Sequence, residues 1–277
     1  IKLRTNKILE GFESIRQGGG NLDISWYFQE DDDIMEELGE DFHDRFPDLK
    51  INVNGEGLNN RKIRAEITAK KLLEIDAIHF NFREPFTLTS GIKSPVYIDC
   101  RKLISYPEAR GILMNFCADT ILEEIGLEKV DSLVGGETAG IPFAAFLAER
   151  LQLPMHYVRK KPKGFGRDAQ IEGGSIAGKK VVLIEDLATD GESKIKFCDA
   201  LRNAGAKIEH TIVIFYYNIF PDTIKKLAKS NLQLHYLACW WDILKYCKDE
   251  GSKWNNETID QIENFLTKPI AWSDQNS

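Results

Sequence analysis

Four consecutive apolar residues, Val181-Val182-Leu183-Ile184, run straight into two carboxylates, Glu185 and Asp186. A strand that is apolar on both faces must be covered on both, which places it inside a parallel sheet. Leu187-Ala188-Thr189-Asp190-Gly191-Glu192-Ser193 follows, a short loop that opens a helix. Ligands of open α/β sheets bind at the carboxyl ends of strands. A helix N-terminus preceded by glycine and hydroxyl residues offers amide N–H groups and a positive dipole to a phosphate. Adjacent acids repel a phosphate but suit a sugar diol, or Mg²⁺ held through one. The bland reading is two solvated acids before a capped helix. Acid pair, loop and helix start, in that order, favour a ribose-phosphate pocket.

The surrounding pattern agrees with a sheet of this kind. Strands are predicted at 130–134, 155–159, 180–185, 207–216 and 232–237, with helices at 140–151, 191–204 and 221–229 between most of them. The alternation implies an α/β fold with a mostly parallel sheet flanked by helices. A helix is expected over 63–76 and another from Pro107 to Gly126. Helices near 240–248 and 257–267 close the chain, the first with Trp240-Trp241-Asp242 at its start. The histidines lack metal-ligand spacing and read as core or surface residues.

Charge divides the chain in two. The formal net charge is -7, which argues against a nucleic-acid partner. Residues 1–60 carry 14 acids and 6 bases, leaving 29 acids and 30 bases for the remainder. The turn-rich stretch 54–61 marks the boundary, so residues 1–60 are expected to be an acidic segment apart from a domain over 61–277. No run of about 18 apolar residues occurs, so no membrane helix is expected. Five cysteines without a CxxC pair point to a reducing, cytoplasmic setting. The chain begins at Ile1, and a longer natural polypeptide is expected around it.

Five cations, Arg159, Lys160, Lys161, Lys163 and Arg167, crowd nine residues among glycines and a proline. Like charges at this density stay in water or meet an anion. A solvated loop is the bland reading; beside a phosphate loop, a pyrophosphate clamp is favoured.

These segments resemble those of type I phosphoribosyltransferases, and within them orotate phosphoribosyltransferases. Glu185–Ser193 resembles the loop for phosphoribosyl pyrophosphate (PRPP), Phe86–Asp99 the substrate loop, Gly135–Pro142 the turn before the second helix, and Arg159–Gly173 the mobile basic loop. The resemblance covers about 62–245. It implies the type I fold with a small hood, and transfer of a phosphoribosyl group from PRPP to orotate. It implies that Lys163, Lys160 and Asp186 are catalytic. Glu185 and Asp186 would hold the ribose hydroxyls, and Leu187, Ala188, Thr189, Asp190, Gly191, Glu192 and Ser193 the 5′-phosphate. Arg159, Lys160, Lys161 and Lys163 would bind pyrophosphate, with Thr138, Ala139 and Gly140 against it. Lys93 would assist, and Tyr97 and Ile98 would face orotate. Mg²⁺ would be held through PRPP, with Asp186 the nearest protein group, and a homodimer would share the basic loop across subunits. Thr89, Ala139, Phe165 and Glu192 depart from the family's usual residues, and 211–222 has no arginine for the orotate carboxylate. The rival readings are a phosphoribosyltransferase for another base and a PRPP-sensing regulator without catalysis.

The acidic front carries a second resemblance. Residues 1–17 read as a helix, Leu22–Phe28 as a strand, and an acidic run leads into a short helix near Phe46. Ser25–Phe42 resembles the C-terminal half of a STAS-like biofilm-regulator phosphoprotein domain, which implies a partial α+β segment. A solvated acidic extension is the alternative.

Overall fold

The computed structural model describes residues 60–88, 90–162, 170–249 and 254–276. The chain divides into two units, Ile1–Asn60 and Arg61–Ser277. The elements expected before residue 60 lie outside the described residues, as does Lys163.

The chain enters by helix α1 (Asn60–Glu74), then forms short strands β1 (Ile78–Phe80), β2 (Phe86–Thr87), β3 (Lys93–Ser94) and β4 (Val96–Ile98). β1 pairs antiparallel with β4, and β2 with β3, giving two small sheets in the segment where the hood is expected. A 3₁₀ turn (Cys100–Ser105) leads to α2 (Pro107–Thr120), whose first residue is the expected proline. One π turn, Ile121–Ile125, extends it to Gly126, where φ of +90° ends the helix.

Alternation then begins: β5 (Ser132–Gly136), α3 (Gly140–Leu151), β6 (Met155–Val158), β7 (Ile171–Glu172), β8 (Lys180–Ala188), α4 (Glu192–Asn203), β9 (Lys207–Tyr216), α5 (Thr223–Lys229) and β10 (Gln233–Cys239). Helices α6 (Trp240–Asp249), α7 (Asn256–Thr267) and α8 (Pro269–Gln275) close the fold. The spatial order is β10-β9-β8-β5-β6-β7, all parallel except the short edge strand β7.

Strand β8 shows why the apolar run is central. Val182 and Ile184 join the core built with Leu113 and Cys117 of α2 and Phe143 and Leu147 of α3. Val181 and Leu183 join the opposite core with Phe197, Cys198 and Leu201 of α4. Successive strand residues point to opposite faces, so each face receives alternate members of the run. Each such buried side chain contributes about 1.5–3 kcal/mol of hydrophobic stabilisation.

Several boundaries differ from those expected: β5 spans 132–136 rather than 130–134, and α1 spans 60–74 rather than 63–76. β8 runs three residues beyond 185, to Ala188, because Leu187 and Ala188 pair with Phe215 and Tyr216 of β9. The partner strand lies about thirty positions away, outside any local pattern. Helix α8 was not foreseen; its seven residues begin at Pro269. The Trp240 start of α6 is as expected: Trp240 is fully buried, and Asp242 accepts from the Cys239 N–H at 2.8 Å. All five cysteines are free and buried. Among the described residues no helix is long and apolar enough to cross a membrane.

Candidate active site

Strand order locates the site. β6 lies on one side of β5, and the chain then crosses to place β8 on the other. A crevice forms at such a reversal, between the loops that leave the two strands. β8 pairs with β5 only as far as Ile184, yet continues beside β9 to Ala188. The strands β5 and β8 therefore part where the acid pair begins.

The two carboxylates have different surroundings. Glu185 is buried, and its Oε2 accepts from Lys194 Nζ at 2.8 Å. Lys194 is itself only 3% exposed and sits on the first turn of α4. Burial pushes the Glu185 carboxyl up, and the Lys194 ammonium opposes that most strongly. Gly136 and Gly140 leave room for this carboxylate: a Cβ on either would collide with Glu185 Oε1. Asp186 is half-buried, with Oδ1 accepting from the Leu187 N–H at 2.9 Å. Burial pushes its carboxyl up too, with Lys194 again the largest opposing charge. Asp186 is therefore the more open member of the pair.

The loop expected to take the phosphate lies beyond β8. Ala188 is buried, and its carbonyl accepts from the Tyr217 N–H at 2.9 Å. The Thr189 carbonyl accepts from Thr223 Oγ1 at 3.2 Å, which pins the loop to α5. Gly191 has φ of +80° and touches Leu227, so a side chain there is strained and crowded. Asp190 Oδ1 accepts from the Glu192 N–H at 3.2 Å. Glu192 and Ser193 are exposed at the α4 N-terminus, and Ser193 Oγ lies 3.3 Å from Lys194 Nζ.

Across the crevice, Glu137-Thr138-Ala139-Gly140 joins β5 to α3, and the Glu137–Thr138 peptide is cis. Glu137 Oε2 accepts from the Lys160 N–H at 2.7 Å, and its Oε1 lies 4.0 Å from Arg159 Nη2. Arg159 and Gln170 clasp the root of the basic loop. The Arg159 N–H donates to the Gln170 carbonyl at 2.8 Å, and Gln170 Nε2 donates to the Arg159 carbonyl at 3.0 Å. Lys161 follows, exposed.

In the hood, Lys93 Nζ bonds Thr87 Oγ1 at 3.0 Å, and its N–H donates to Ser273 Oγ of α8 at 3.0 Å. Tyr97 packs on Phe86, with ring centroids 5.4 Å apart, while Ile98 is buried opposite Ile78. Turn Thr138–Gly140, loop Thr189–Ser193, the acid pair and the Arg159–Lys160 root thus border one crevice. Lys194 was missed by the sequence reading, although a signal existed. It stands at 194 with Phe197, Cys198 and Leu201, the helical spacing of a core position.

The phosphoribosyl transferase domain family matches residues 108–240, which take in this crevice. An orotate phosphoribosyltransferase from Ruegeria sp. (strain TM1040) is 55% identical over 212 residues, covering 76% of this chain and 93% of that protein. The chain belongs to the orotate phosphoribosyltransferase family. The family's fold is repeated in solved structures. The orotate phosphoribosyltransferase of Aeropyrum pernix superposes with a TM-score of 0.57 at 31% identity, over 65% of this chain and 97% of that one. Leishmania donovani UMP synthase gives a TM-score of 0.63 at 25% identity, over 73% of this chain but only 42% of its own. Residues 4–55 match a different family, described as SiaC family regulatory phosphoprotein, in agreement with the resemblance of the acidic front.

Proposed function

We propose that the crevice between β5 and β8 transfers the phosphoribosyl group of PRPP to N1 of orotate, giving orotidine 5′-monophosphate and pyrophosphate, a step of pyrimidine biosynthesis. The observation that carries this reading is the meeting of the acid pair, the glycine-opened loop and the basic root at the strand reversal, in a chain 55% identical to an orotate phosphoribosyltransferase.

Each part has a chemical task. Asp186, backed by Glu185, takes the ribose hydroxyls. The loop, chiefly Thr189–Ser193, takes the 5′-phosphate on amides and on the Thr189 and Ser193 hydroxyls. Thr138–Gly140, Arg159, Lys160, Lys161 and Lys163 take pyrophosphate. Negative charge grows on that leaving group as the C1–O bond breaks, so cations placed there act most strongly in the transition state. Lys93, Tyr97 and Ile98 border the base. No side chain need act as nucleophile; holding the reactants in line supplies the rate.

Mg²⁺ fits this donor set. Magnesium is commonly held by one or two carboxylates together with substrate phosphates, and Asp186 offers such a carboxylate. When bound it would neutralise charge on the pyrophosphate. The unit acts as a cytoplasmic homodimer whose basic loop reaches the neighbouring crevice. Residues 61–277 form the catalytic domain, and 1–60 a separate regulator-like segment.

The assay follows orotate consumption with PRPP and Mg²⁺. Turnover is expected, and its absence at high enzyme concentration refutes the reading. Lys163→Ala should lower kcat by about 10²-fold or more, by analogy with loss of one oxyanion donor; unchanged kcat removes Lys163 from the mechanism.

A further inference from the structure

Orotate is an anion: its ring carries a carboxylate that uracil lacks. A buried or half-buried carboxylate needs a cation or several donors to offset desolvation. The cations at Arg159 and Lys160 belong to the far side of β5, where pyrophosphate leaves. Stretch 211–222 contains no arginine. Lys102 Nζ donates to the Asp76 carbonyl at 2.9 Å and Lys93 Nζ to Thr87 Oγ1 at 3.0 Å, and neither ammonium presents a planar fork.

Arg101 is differently placed. It opens the 3₁₀ turn after β4, and that turn packs on β8. Its Nε donates to Asp99 Oδ1 at 3.0 Å, and its Nη2 donates to the Tyr97 hydroxyl at 3.1 Å. Nη1 has no partner among the described contacts, and the side chain is 56% exposed. Asp186 is among the charges that raise the Arg101 pKa, and Arg101 in turn opposes the upward push on Asp186. The guanidinium therefore lies within the electrostatic reach of the Asp186 carboxylate. Tyr97 presents a ring framed by Phe86 at 5.4 Å and His79 at 6.4 Å.

We propose that Arg101 binds the orotate carboxylate and is the residue by which the enzyme distinguishes orotate from uracil. This rests on the reading that the crevice is an orotate site. The planar fork matches a carboxylate, and two of its nitrogens are already fixed by Asp99 and Tyr97. That anchoring reduces the side-chain freedom lost when the ligand arrives. A lysine would supply charge without the fork.

The test compares steady-state kinetics of the full chain, Arg101→Ala and Arg101→Lys, with orotate, uracil and PRPP each varied. Arg101→Ala should raise KM for orotate by about 10–100-fold, the loss expected of a charge-assisted contact. KM for PRPP should change less than about threefold, and the preference for orotate over uracil should shrink by the same factor as the orotate loss. Arg101→Lys should fall between. Because the side chain is half exposed, both variants should fold, which thermal melting checks. A rise in KM for PRPP with orotate unaffected overturns the proposal and assigns Arg101 to the ribose or pyrophosphate. Unchanged kinetics for both substrates also overturns it, while leaving the orotate reading intact. A wild-type chain that uses uracil and ignores orotate overturns both readings together.

Discussion

Replacing Lys194 with methionine would remove the ammonium bonded to the Glu185 carboxylate inside the fold. The pair is 2.8 Å apart, with side chains 4% and 7% exposed. Methionine fills comparable volume, so the packing against Phe197 and Cys198 is largely kept. What changes is that Glu185 is left buried without its partner. Breaking a buried pair in this way typically costs about 3–5 kcal/mol. For a unit of this size that corresponds to a fall in Tm of about 6–20 °C. The loss should depend on pH. Burial already raises the Glu185 pKa, with Lys194 as the chief opposing influence. Without Lys194 the folded carboxyl holds its proton at pH values where the unfolded chain has released it. Stability then falls as pH rises, so the variant should be weaker at about pH 8 than at about pH 5. Adding Glu185→Gln should recover much of the loss and flatten the pH dependence. Urea unfolding of the wild type and the two variants at both pH values measures this. A Lys194→Met loss below about 1 kcal/mol at the higher pH, or one independent of pH, refutes the burial argument.

Other perturbations test other parts. In Gly140→Ala the new methyl would collide with the Ile184 carbonyl and lie 2.7 Å from Glu185 Oε1, so the turn must move. Misplacement by about 1 Å can cost 10²-fold in rate, and kcat/KM for PRPP should fall accordingly; a change under about threefold shows that the turn does not touch the pyrophosphate. Burial pushes Asp119 up to about 6, against the pull of Arg64. Its contribution is fully present below the unfolded pKa and declines as pH rises from about 4 to about 6, so Asp119→Asn should flatten stability across that window. Equal slopes for variant and wild type would show that Asp119 titrates normally.

The alternation of strands and helices was legible because its information is local. The apolar run at 181–184 indicated a strand covered on both faces, and cores on both sides do cover it. The helix start at Pro107 and the buried Trp240 were legible for the same reason. The end of β8 was not, because pairing with Phe215 and Tyr216 decides it. The acid pair was visible, but not its asymmetry. Glu185 turns to Lys194, nine positions onward, while Asp186 is the more open and accepts from the Leu187 N–H. A pair of like letters in the sequence hides the period-two geometry that separates them. Arg101 escaped notice because no periodicity or motif singles it out; its direction comes from folded contacts with Tyr97 and Asp99.

The clasp between Arg159 and Gln170 has a consequence for how the enzyme can vary. These two residues exchange hydrogen bonds at the edge of the sheet, where β7 begins on β6. The ten residues between them form a ring of chain closed at its neck. Closure entropy rises slowly with length, and doubling such a ring costs only about 0.6 kcal/mol. Residues can therefore be gained or lost inside it without shifting any strand register. The loop after β8 has no such freedom, because Thr189 is tied to Thr223 and Ala188 to Tyr217. The basic loop can be tuned by insertion and deletion, whereas the loop after β8 must be tuned by substitution alone.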